Sequence, residues 1–170
     1  LDCRERRVLG NQVDIAITVL DEANCRIKPQ RIIREICSTG GKGLVALVGV
    51  QSNQFPRAVD LARPLRAAGV NVCIGGFHVS GSLAMLPNMP PEILEALALG
   101  ISIFAGEAEE KRLDTVLRDA WQGALKPLYN YLDRPPDLTD QPTPILPPQH
   151  IRRTLGALTS VDLGRGCTFK

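Results

Sequence analysis

The chain has 170 residues, with 20 Lys or Arg against 18 Asp or Glu and a net charge of +2, so it is long enough for one domain with a real core and carries no electrostatic signature of a nucleic-acid or membrane partner. Its five cysteines are dispersed, odd in number and outside any CxxC spacing, which argues against a disulfide framework or a zinc knuckle and for a reducing compartment. No apolar run approaches the roughly 18 residues of a membrane span, and the N-terminus lacks the apolar stretch of a signal peptide, so a cytoplasmic location is expected.

In chain order, the first apolar run is Val13–Leu20 (VDIAITVL), rich in β-branched residues and predicted to be a buried strand. Helical spacing follows over Pro29–Cys37, then a second strand-like run over Leu44–Val50, a helix over Pro56–Ala68, a strand over Val70–Ile74, a helix over Pro91–Leu99, a strand over Ile101–Ala105 and a helix over Glu109–Trp121. Pro29, Pro56 and Pro91 sit where a first helical turn tolerates proline, and Gly40, Gly69 and Gly100 fall where a left-handed C-cap suits glycine. Pro64, inside the second of these helices, should kink or shorten it. Strict alternation of strand and helix predicts right-handed crossovers and an α/β fold, doubly wound in the Rossmann-like or flavodoxin-like manner around a mostly parallel sheet.

Ligands of such sheets bind beyond the carboxyl ends of the strands. The loop Gly75–Gly81 (GGFHVSG) offers close backbone approach at Gly75 and Gly76 and polar contacts from His78 and Ser80; a tight turn with an incidental histidine is the structural alternative. In the preceding loop, Ser52 and Asn53 are either ligand contacts or helix N-caps. Gly106 and Glu107 close the last strand, where acidic residues also complement a helix dipole. Walker, dinucleotide and nucleophile-elbow motifs are absent, and no self-contained catalytic constellation is visible. From Pro127 to Pro148 the chain holds seven of its thirteen prolines, a composition that predicts a stiff, extended connector. Thr159–Leu163 then resembles the opening of another strand.

The order of these features resembles the cobalamin-binding domain that precedes the barrel of radical S-adenosylmethionine enzymes. The resemblance covers about Val13 to Lys170 and is carried by Val45–Asn53, by Ala58–Ala62, by the GGFH of Val72–Ser80, by Phe104–Glu109 (FAGEAE), by the proline-rich stretch and by Gly164-Arg165-Gly166-Cys167. It implies a corrinoid ligand contacted by Ser52, Asn53, Gly75, Gly76, His78, Ser80, Gly106 and Glu107, without histidine ligation of cobalt because DxHxxG is missing. It further implies that Cys167 is the first cysteine of a CxxxCxxC motif. The [4Fe–4S] cluster and S-adenosylmethionine would then belong to a full-length protein whose barrel is the domain's partner. The implied organisation is an α/β domain over 1–126, a linker over 127–150 and the start of a barrel over 151–170, inactive by itself. The family's first strand has only Arg7–Leu9 available to it. A scaffold that lost the corrinoid, and a flavodoxin-like receiver or flavin domain, are the alternatives; the receiver lacks a phosphoacceptor Asp in Val50-Gln51-Ser52.

Overall fold

A computed structural model describes residues 2–22 and 25–142. Four strands, β1 (Leu44–Leu47), β2 (Asn71–Gly75), β3 (Ser102–Ala105) and β4 (Leu128–Asn130), form one sheet in the order β1-β2-β3-β4. All three pairings are parallel, with Ala46 opposite Cys73, Cys73 opposite Ser102, and Phe104 opposite Tyr129. The helices are α1 (Asp2–Glu5), α2 (Pro29–Ser38), α3 (Phe55–Ala67), α4 (Phe77–Met85), α5 (Pro91–Ala98) and α6 (Arg112–Gln122).

Side chains alternate across each strand, and this alternation divides the interior in two. Val72, Ile74, Ile101 and Ile103 pack with Phe55, Val59, Ala62 and Leu65 of α3 and with Ile93 and Ala96 of α5. Cys73, Phe104 and Tyr129 point to the opposite face and meet Val116 of α6. Helices therefore cover both faces, the doubly wound α/β arrangement expected of the sequence. Each fully buried isoleucine among Ile74, Ile93 and Ile103 contributes about 2 kcal/mol of transfer free energy. Burial also holds the Cys73 thiol up at about 12, so this cysteine stays protonated in the core. Helix α3 runs through Pro64 to Ala67 without ending, because its apolar face, spaced at three and four residues, is anchored on both sides of the proline.

Several expectations are corrected. Val13–Leu20 forms no strand; Ile17, Val19 and Leu20 are exposed. A strand needs a paired neighbour for its backbone groups, and among the described residues β1 has none on its outer side. The Gly75–Gly81 stretch is not a loop: Gly75 ends β2, Gly76 turns the chain, and α4 begins at Phe77. The last helix starts at Arg112 rather than Glu109, since Glu110 and Lys111 take φ of 54° and 62°, a left-handed conformation incompatible with a right-handed helix.

The proline-rich stretch also differs from an extended connector where it is described. Leu128–Asn130 is the fourth strand, with Tyr129 buried and its hydroxyl donating to Asp119 Oδ2 at 2.8 Å. Beyond it, Arg134 pairs with Glu110, the Asp137 N–H donates to Glu110 Oε1, and the Glu110 N–H donates to the Gln141 side chain. The segment 131–142 is thus strapped to the turn between β3 and α6. Positions 143–170, which include the remainder of the stretch, the strand-like Thr159–Leu163 and Cys167, lie outside the described residues.

Candidate ligand-binding edge and the adjoining cleft

The carboxyl ends of β1 and β2 are joined by backbone bonds before any side chain acts. The Val50 N–H donates to the Gly75 carbonyl at 3.1 Å, and the His78 N–H donates to the Val50 carbonyl at 3.0 Å. These two bonds draw the chain after β1 against the turn after β2. Gly76, at φ 143°, lies so close that a Cβ there would collide with the Val50 nitrogen and stand 2.7 Å from the Gly49 carbonyl carbon. Only glycine fits, and the approaching group is the neighbouring loop. At Gly106, φ 101°, a Cβ would stand 3.0 Å from the Tyr131 backbone, and at Gly75 it would stand 3.2 Å from the Phe104 carbonyl oxygen.

The expected polar residues are divided between two places. Ser80, in the first turn of α4, accepts from the Gly106 N–H at 3.0 Å and so ties the second turn to the third. The Glu107 carbonyl accepts from Arg112 at 3.5 Å. Ser52 and His78 meet elsewhere: the Ser52 hydroxyl lies 3.2 Å from His78 Nδ1. Asn53 is exposed beside them. Neither Ser52 nor Asn53 caps α3; its N-cap is Gln54, whose side chain instead accepts from the Gln51 N–H at 3.1 Å.

His78 faces a cleft of about 410 Å³ between α3 and α5, with Phe55 and Val59 on the floor and Asp60, Glu92 and Ser52 at the rim. Its ring is 4.4 Å from that of Phe55, centre to centre, and its side chain is only 11% exposed. Nε2 is buried and has no hydrogen-bond partner; Glu92 Oε1 approaches to 3.6 Å, just beyond bonding reach. Across the same rim Arg63 pairs with Glu95 at 2.8 Å.

The carboxyl edge itself is apolar and open. Val48 and Phe77 flank the Gly49–Gly76 approach and are 81% and 79% exposed. Helix α4 carries no Asp, Glu, Lys or Arg, and Met85 at its far end is also exposed. Sequence reasoning missed Val48 because it lies in a run that reads as a core strand, and Phe77 because it lies in a stretch that reads as a glycine loop. It missed Phe55 and Glu92 because nothing in their spacing joins them to His78.

Electrostatics at the β3–α6 turn are dominated by Glu110. The Asp137 N–H first, then Arg134 and Arg112, hold its carboxyl below the ordinary 4.5. Among the described residues, no three His, Cys, Asp or Glu side chains are grouped to hold a metal ion, and no helix is long and apolar enough to cross a membrane. No protein family, no curated protein and no solved structure matches the chain.

Proposed function

We propose that this chain is a corrinoid-binding domain of the kind that serves radical S-adenosylmethionine enzymes. The observation that carries this reading is the open apolar pair Val48 and Phe77 at the strand ends where α/β sheets take ligands. A flat, amphipathic macrocycle suits that surface, and the exposed amide of Asn53 supplies an adjoining polar group. His78 is held by Ser52, Phe55 and the Val50 carbonyl, which fits a corrinoid bound without histidine on cobalt. A corrinoid would supply alkyl or methyl transfer chemistry; this chain's own residues would bind and orient it toward a partner barrel. The proposed [4Fe–4S] cluster, S-adenosylmethionine and cluster ligand Cys167 rest on the GRGC resemblance.

A second reading has its own support. Gly75, Gly76 and Gly106 are each accounted for by protein packing, which suits a scaffold or interaction module that keeps the fold without the ligand. Titration with cobalamin, followed by visible absorbance, separates the two. Saturable spectral change expresses the corrinoid reading, and its absence at millimolar cobalamin leaves the scaffold.

A further inference from the structure

Side chains at 52, 78 and 92 are far apart in sequence but stand in a row at the mouth of the α3–α5 cleft. The Ser52 hydroxyl lies 3.2 Å from His78 Nδ1, and the Glu92 carboxylate lies 3.6 Å from Nε2 on the other side of the same ring. One tautomer accounts for both distances. With its proton on Nε2, the imidazole presents a bare Nδ1 to accept from the hydroxyl and an N–H directed toward the carboxylate. The ring is fixed in this attitude by the Phe55 contact and by the bond from its own backbone N–H to the Val50 carbonyl. Glu92 is half exposed in the first turn of α5, so a small side-chain rotation brings it into bonding range. Ser52 is exposed, and an electrophile can reach it from the cleft.

We infer that Ser52 is an activated nucleophile, with His78 as its general base and Glu92 orienting the imidazole, and that the cleft accepts carboxylic esters. A hydroxyl, an imidazole and a carboxylate in series constitute the arrangement that activates serine on unrelated folds. In the first half-reaction Ser52 Oγ bonds to the ester carbonyl carbon and passes its proton to His78 Nδ1; the carbon–alkoxy bond breaks, and the leaving alkoxide takes that proton as an alcohol. Water then adds to the acyl-serine, gives its proton to His78, and the departing Ser52 oxygen recovers it. The net change is ester plus water to acid plus alcohol. The apolar floor of Phe55 and Val59 suits an alkyl or aryl group, while the Asp60 and Glu92 carboxylates at the rim favour neutral or cationic esters over anionic ones. The cleft lies between α3 and α5, so this inference does not depend on the corrinoid reading.

The test uses a biotinylated fluorophosphonate, which phosphonylates activated serines, on the full chain, with the adduct located by mass spectrometry and p-nitrophenyl acetate as a second substrate. The expected result is one adduct on Ser52 and an acetyl burst, both lost in Ser52→Ala. His78→Gln should slow labelling about a hundredfold and Glu92→Gln about tenfold. Because Glu92 is half exposed, that variant keeps the fold even where His78→Gln disturbs it, and thermal melting checks each. No adduct on Ser52, or an adduct formed as fast in Glu92→Gln as in the parent chain, would overturn the inference.

Discussion

The backbone of Val50 occupies the place where a side chain on Gly76 would stand. Two hydrogen bonds, Val50 N–H to the Gly75 carbonyl and His78 N–H to the Val50 carbonyl, hold the two loops in this contact. Gly76 therefore serves the fold first and any ligand only through it. Gly76→Ala should destabilise the protein by about 3 kcal/mol, through the collision and the positive φ together. Urea denaturation measures this; an unchanged midpoint would mean that the two loops do not meet as described.

Asp114 is buried at 1% exposure and accepts from both terminal nitrogens of Arg6, at 2.6 and 2.8 Å. The pair fastens the N-terminal residues to α6 across more than a hundred positions of sequence. Arg6 holds the Asp114 carboxyl below its ordinary 3.8, against the opposing effect of burial. A lowered carboxyl stabilises the fold above the unfolded value and loses that contribution as pH falls through the folded one. Stability should then drop below about pH 4, and Asp114→Ala should cost about 2 kcal/mol at neutral pH by removing the charged acceptor, while Arg6 keeps its pair with Asp2. Thermal melts at pH 7 and pH 3 of parent and variant give both quantities, and the variant's acid sensitivity should be the smaller.

Glu110 fastens the strap 131–142 to the β3–α6 turn through Arg134 and the Asp137 N–H. Glu110→Ala should release it, and limited proteolysis should then cut near Arg134 in the variant well before it cuts the parent. The same release should occur in the parent as pH falls through the folded carboxyl's own value, which the Asp137 amide first, then Arg134 and Arg112, hold below 4.5. An acid-stable protease distinguishes this from a connector that is cut equally at every pH.

Phe77 is 79% exposed at the carboxyl edge, so Phe77→Glu should leave the denaturation midpoint within about 0.5 kcal/mol of the parent. If the edge takes a corrinoid, the same change should abolish the cobalamin-dependent absorbance shift. Retention of that shift would remove Phe77 from the binding surface.

Val13–Leu20 joins no strand ladder and exposes three large apolar side chains. Its amides should exchange with solvent at rates typical of loops, at least a thousandfold faster than those of Val72–Ile74, in a hydrogen-exchange experiment. Protection comparable to β2 would place this run in the sheet.

The alternation of strand and helix, the parallel sheet and the composition of the core were determined by the sequence alone, because apolar period and glycine or proline punctuation are local properties of the chain. Among the described residues, three of four predicted strands and all four predicted helices stand within a few residues of their expected places. Two failures were local, the start of α4 at Phe77 and of α6 at Arg112; the others depended on a partner distant in sequence. Val13–Leu20 has the composition of a strand, but strand formation is decided by an edge to pair with. Leu128–Asn130 lies in a proline-rich context, yet it pairs with β3 and buries Tyr129. The glycines after β2 and β3 were legible as sites of close approach, while only the fold decided that what approaches is the backbone of Val50 and Tyr131. Likewise Ser52 and His78 could each be picked out as polar residues at a strand end. Their meeting with each other and with Glu92 arises because parallel crossovers deliver the ends of β1 and β2 and the start of α5 to one rim, a juxtaposition that no local spacing encodes.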